Sequence, residues 1–341
     1  MSQLIDNLNI IESVKTDIKS AIEAKGVDMT GVSFPGYASK IGEISGGGGG
    51  WDQKSLTEGN VEITNLDNSA SFVASNAFVN NTTIQTVNLP YATSVGDNAF
   101  YECSSLRQVS LPVCSYIGDW AFYSCSSLSQ VSLPICSYIG YAAFKICSSL
   151  SQVSLPVCSY IGDDAFRGCI SLTQVDLPMC SYICSNAFVN CSSLSQVSLP
   201  VCSSIGNTAF EHCILLSQVS LPVCSYIGDF AFEHCILLSQ VSIPKCEYIG
   251  FKAFADCRLL SQVSLPVCSF ISNYAFHTCY KLSIITIGYS GICSLTSSGA
   301  FNGAQITSSM GSIYVPASLV DSYKSATNWS YFSTQIFPIT E

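Results

Sequence analysis

Charge is scarce in this chain: 13 Lys and Arg and 23 Asp and Glu among 341 residues, a net charge of −10. The carboxylates are scattered, and no cluster of Lys and Arg is present to neutralise a phosphate backbone. That argues against nucleic acid as a partner. Long apolar runs are missing as well. No stretch of 18 or more apolar residues occurs, so no membrane-crossing helix is expected, although 48% of the residues are hydrophobic. The start, MSQLIDNLNIIESVKTDIK, has no basic segment, no continuous apolar core and no small-residue cleavage site. A secretory signal is therefore not expected, and synthesis is placed in the cytosol. Motifs that carry chemistry are absent: G-x-S-x-G, H-E-x-x-H and a phosphate-binding loop. So are CxxC and CxxH pairs with zinc spacing. The three histidines, His212, His234 and His277, have no carboxylate pattern that would complete a metal set. No catalytic residue, cofactor or metal is expected, and the chain reads as a non-enzyme.

What is present is a repeat. Ala-Phe recurs every 22 residues from Phe78 to Phe276, and a proline keeps the same step from Pro90 to Pro266. A fixed period of this length marks a solenoid that stacks one small unit many times. A stack has no central pocket where distant residues converge; it has a long surface, which favours recognition over catalysis. One rung, Ser126–Cys147, reads SSLSQVSLPICSYIGYAAFKIC. Leu128, Val131 and Leu133 have the spacing with which a leucine-rich repeat writes its short strand. Val131 and Leu133 should point inward and Gln130 and Ser132 outward. Pro134 should stop the strand, since it cannot donate to a ladder. Ile139 and Gly140 should turn the chain, and Ala143 and Phe144 should fill the back of the rung on a helical or 3₁₀ turn. The expected fold is an α/β repeat solenoid with a 22-residue period.

The chain divides into segments. Residues 1–45 are expected to form a helical attachment or oligomerisation module, with Leu4, Leu8, Ile11, Ile18 and Ile22 at helical spacing. Gly46 to Gly50 read as a flexible link. Residues 51–287 are the solenoid. Residues 288–341 break the period: Gly288 stands where a proline is due, and Phe301 follows Phe276 by 25 residues. A strand, a proline and an amphipathic helix (Leu319, Val320, Tyr323, Ala326) read there as an irregular last repeat and a C-terminal cap, which solenoids need.

The motif L-x-x-V-x-L-P…IG-x-x-AF-x-x-C resembles the BspA-type leucine-rich repeat family, found in bacterial surface proteins and some phage proteins. The resemblance covers residues about 56–341. It implies a right-handed solenoid with adhesive or receptor-binding roles and no known chemistry. Residues 1–45 resemble a short module at the start of virion and tail-fibre proteins of gut phages, which implies attachment of the solenoid to a virion. Together these imply a virion receptor-binding protein. Its partners would be a host cell-surface protein or glycan, other virion proteins through residues 1–45, and a second copy of itself in a homo-oligomer. The alternative is a BspA-like adhesin on the bacterial cell surface.

Nineteen cysteines fall mostly every 11 residues, half the period, and so form two files. Parallel side chains about 4.8 Å apart keep Cβ atoms beyond disulfide reach, so these are read as reduced packing groups. The outward strand residues repeat almost without change, Gln108 to Gln262 and Ser110 to Ser264, with Asp176 as the exception. Such a uniform face can satisfy itself between rungs, or meet a regular polymer such as a glycan. Variation is concentrated around each Ala-Phe. The candidate binding residues there are Trp120, Tyr123, Tyr141, Arg167, His212, Phe230, His234, Phe251 and Tyr274, of the types that anchor interfaces. A file of tyrosines (Tyr116, Tyr138, Tyr160, Tyr182, Tyr226, Tyr248) borders this edge.

Overall fold

The computed structural model describes residues 62–64, 71–308 and 310–340. The expected N-terminal helix, the glycine link and the start of the solenoid at Trp51 lie outside the described residues.

Within them the chain winds as a parallel β-solenoid of about twelve turns. Each regular rung carries two short strands. The front strand is three or four residues long, as at Gln130–Ser132, and the side strand is two, as at Tyr138–Ile139. Eleven side strands, from Phe72–Val73 to Ser294–Leu295, form one parallel sheet. The front strands form three consecutive parallel ladders: Glu62–Thr64 to Gln196–Ser198, Gln218–Ser220 with Gln240–Ser242, and Gln262–Leu265 to Ile336–Pro338. Equivalent residues pair one rung on, Gln130 with Gln152 and Tyr138 with Tyr160. The alternation read from the sequence holds: Val131 and Leu133 are buried, while Gln130 and Ser132 are exposed.

The back of the rung differs from the expected helical turn. The described residues hold one short α-helix, Val320–Ser325, and a few 3₁₀ turns, all in the last 44 residues. Residues around each Ala-Phe form plain turns instead. The reason lies in where the backbone bonds go. Phe100 N–H donates to Ala121 O (2.7 Å), Phe122 to Ala143 (2.8 Å) and Trp120 to Tyr141 (2.8 Å). Donors committed to the next rung cannot also close the i to i−4 bonds of a helix.

Stacking then fixes the core. The Phe rings from Phe78 to Phe276 lie face to face at 5.0 to 5.4 Å and are fully buried. Phe301 continues the file at 5.8 Å. Gly162 sits at one of the close approaches between rungs. A Cβ there would sit 2.8 Å from the Gly140 carbonyl carbon, which no side chain tolerates without a shift. On the next rung Cys184 occupies that position. There the side-strand pairing shrinks to Ile161 with Ile183, while most other steps pair both residues.

All nineteen cysteines are buried and unpaired. In one file each Sγ donates to a Phe carbonyl on the preceding rung, as Cys125 to Phe100 (3.1 Å). In the other it donates two residues ahead, as Cys136 to Tyr138 (3.2 Å). The thiols thus act as small fillers whose one donor is satisfied. Beyond the last rung, Tyr323 Oη accepts from Cys293 N–H (2.8 Å) and donates to Gly291 O (3.2 Å). Trp329 Nε1 donates to Cys293 O (2.7 Å), and its ring packs near Phe301.

Two outcomes follow from this core. Phe188→Ala leaves a hole between two stacked rings and should cost about 3–5 kcal/mol in denaturant unfolding; a loss under about 1 kcal/mol would contradict the stack. The second concerns alkali. Burial pushes the Cys114, Cys158 and Cys169 thiols up to about 12. An unfolded thiol ionises near 8.5. Between these values the unfolded chain holds fewer protons than the folded one, so stability is full below about pH 8.5 and falls as pH rises toward 12. The urea midpoint should therefore drop between pH 7.5 and pH 10, and a flat profile would contradict burial of the thiols.

Candidate functional site

The varying residues around each Ala-Phe sit where the backbone turns hardest. Two positions per rung are left-handed. One is the residue before Ala-Phe, as in Trp120 (φ 52°), Ala142 (φ 49°), Phe230 (φ 58°) and Tyr274 (φ 56°). The other lies two residues after the Phe, as in Ser124 (φ 56°), Ile146 (φ 63°), His212 (φ 58°) and His234 (φ 59°). Asn suits this conformation and stands there in early rungs, at Asn76, Asn80 and Asn98. Trp, Phe, Tyr and Ile do not suit it, and each costs about 1–2 kcal/mol of backbone strain. Bulky residues held in this conformation are the kind of outlier that accompanies a function.

The stacking brings the nine candidates together in small groups. Trp120, 37% exposed, meets Tyr141 edge-on at 5.0 Å. Tyr123 stacks on Tyr101 at 4.8 Å. His212 and His234 stack at 4.5 Å, with Glu211 3.7 Å from His212 and Asp256 3.6 Å from His234. Phe230 meets Phe251 edge-on at 5.1 Å, and Phe251 meets Tyr274 at 5.9 Å. Arg167 is tied down: its Nη1 lies 3.2 Å from Asp164, a buried carboxylate that also faces Lys145 at 3.6 Å. The edge therefore carries an aromatic pair near one end and an aromatic run with the two imidazoles near the other. Lys252, on the same edge but not among those nine, lies 5.6 Å over the Phe230 ring and 3.1 Å from the buried Glu233.

A further ladder runs beside the edge. Asp97 Oδ1 accepts the Asp119 N–H (2.9 Å), Asp119 accepts from Tyr141 (2.8 Å), Asp163 from Ser185 (2.7 Å) and Asp229 from Phe251 (2.7 Å). Burial raises the Asp119 carboxyl above its usual range, the Tyr141 N–H opposes that, and the charge on Asp97 adds to the rise. These acids hold rungs in register. The recurring Gly-Asp after Val or Ile was a signal for them in the sequence, since a carboxylate just after a crowded glycine reaches the next rung's backbone.

The front face is different in kind. Its trough is lined by Gln108, Gln130, Gln152 and Gln174, with Ser110 and Asp176 among them. The hydroxyl ladders sit one residue before most of these Gln and Tyr positions: Ser129 Oγ donates to Arg107 O (3.1 Å) and Ser137 Oγ to Ser115 O (3.2 Å). Among the described residues no group of three or more His, Cys, Asp or Glu is arranged to hold a metal ion. No helix among them is long and apolar enough to cross a membrane.

The chain matches the BspA type leucine rich repeat region over residues 71–195, 159–283 and 203–327. No curated protein matches it. Among solved structures it is similar to a leucine rich cell surface protein from Faecalibacterium prausnitzii, with 20% identity over 82% of this chain and 92% of that one and a TM-score of 0.40. It is also similar to the T. pallidum leucine rich repeat protein, with 30% identity over 46% of this chain and 75% of that one and a TM-score of 0.42. The pneumococcal vaccine antigen PcpA shares 14% identity over 80% and 85%, with a TM-score of 0.35. With three quarters of its length inside the matched region, the chain belongs to the BspA-type leucine-rich repeat family.

Proposed function

We propose that this chain is a non-enzymatic adhesin of the bacterial cell surface, which holds a host protein or glycan against the varying edge of its solenoid. Family membership supports the surface role. The observation that carries the binding role is the contrast between two parts of one rung. Core and front residues repeat almost unchanged, while bulky side chains differ from rung to rung on backbone that disfavours them. Selection for packing alone would place Asn or Gly there. The segment 288–341 has the part of a cap in this reading, with Trp329 and Phe332 against Phe301, the last Phe of the stack, and Tyr323 against Trp329.

A virion tail-fibre role, with residues 1–45 holding other virion proteins or a second copy, rests on the resemblance of those residues alone. The adhesin reading rests on the repeats themselves, and we favour it.

The test is binding of the labelled chain to intact candidate host cells. Trp120→Ala combined with Tyr141→Ala should weaken binding at least about ten-fold, or 1.4 kcal/mol. The pair is exposed at its rim, so the thermal midpoint should move by no more than about 2–4 °C. Equal binding by the variant and the parent would sink the assignment of the edge.

A further inference from the structure

The side file of aromatic rings is interrupted in its interior. Tyr116, Tyr138 and Tyr160 stack at 4.9 and 4.8 Å, and Tyr226, Tyr248 and Phe270 at 4.9 and 4.8 Å. Between these runs stand Tyr182 and Ser204. The register places Ser204 beside Tyr182 on one side and beside Tyr226 on the other. A hydroxymethyl group thus stands where its neighbours carry rings. Two rung steps of about 4.8 Å separate the flanking tyrosines, a gap of about 9.6 Å. A ring at its centre would lie about 4.8 Å from each, inside the range over which aromatic pairs stack.

Exposure marks the same place. Tyr182 is 41% exposed and Tyr226 39%, while the other rings of the file are only partly exposed. Tyr182 is also loosened from its other neighbour. Cys184 stands in the place of the usual glycine, and the strand pairing at that step is reduced. Burial raises the Tyr182 phenol, and the nearby Cys184, Asp163 and Tyr226 add to the rise.

Three of the polar groups beside the gap are already used. Ser203 Oγ donates to Ser181 O (3.0 Å) and Ser225 Oγ to Ser203 O (3.4 Å). Asn207 Oδ1 accepts the Asp229 N–H (2.9 Å). A sugar ring needs several free partners along its hydroxyl edge, and these groups do not supply them. An aromatic ring needs two faces at stacking distance, and the spacing set by the register leaves room for one ring between Tyr182 and Tyr226. We propose that the gap between Tyr182 and Tyr226, floored by Ser204, is a binding slot for one phenylalanine or tyrosine side chain of a protein partner. The slot uses side-strand residues, not those of the varying edge, so it goes beyond the adhesin reading and stands apart from it.

The probe is N-acetyl-tyrosinamide, titrated onto the full chain by NMR saturation transfer, with methyl β-glucopyranoside in parallel. A single ring without its peptide should bind at about millimolar strength. Ser204→Tyr fills the slot with the residue its neighbours carry. It should weaken amide binding at least about ten-fold while leaving the thermal midpoint equal or higher. Tyr226→Ser, which removes one wall, should lose binding as well and covers the case in which Ser204→Tyr does not fold. Trp120→Ala should leave the signal unchanged. Amide binding that survives Ser204→Tyr in a folded chain, no binding by the parent, binding of the glucoside instead, or loss in Trp120→Ala would each overturn the slot.

Discussion

In this molecule nearly every side chain sits on a near-copy of itself, one rung away, about 4.8 Å along the stack. That single constraint sorts the residues. Apolar groups gain from it: Phe stacks on Phe, and small thiols fill between. Like charges suffer. Two equal charges near this distance repel by about 1 kcal/mol in water and by about 4 kcal/mol at a protein surface. A chain built of stacked copies must therefore be poor in charge, and 11% charged residues is the result. Where carboxylates do follow one another, as at Asp97 and Asp119, each is spent on a backbone N–H of the next rung. Elsewhere the file varies, with Tyr141, Ser185, Asn207 and Phe251 between the acids.

The strand half of each rung was legible in the sequence because its physics is local. Alternation at Gln130, Val131, Ser132 and Leu133 fixes which face is buried, and the period fixes what pairs with what. The back half was not. Ala143 and Phe144 lie on turns because their backbone donors serve the next rung, and no local pattern announces that commitment. The left-handed positions were equally hidden. Asn76 and Asn98 hint at them, but Trp120, Ala142 and Phe230 at the equivalent place give no sign. Ser204 was visible as a gap in the tyrosine file, yet its meaning needed the register that puts Tyr182 and Tyr226 on either side. Of the candidate residues, grouping could not be read from the sequence. Trp120 with Tyr141, and Phe230 with Phe251 and Tyr274, meet edge-on because rungs stack, while Arg167 is tied to Asp164 on its own rung.

The same constraint divides labour within the rung. Core and front positions are held uniform by stacking, so they can carry little specific information. Positions on the tight back turns contact their neighbours mainly at their rims, so they can change without breaking the stack. A long surface of this kind gains affinity from several weak anchors along its length. It also tolerates local departures from the consensus, such as Cys184 and Ser204, which open contacts a perfect array would not have.

The claim beneath all of this is a continuous dry interior made by rungs in register. Thiol counting with a colourless-to-yellow aromatic disulfide tests it most directly. The native chain should show almost no fast-reacting thiol, and the same unreduced sample in strong denaturant should show all nineteen. Many thiols reacting in the native state, or a denatured count well short of nineteen, would contradict the stacked core.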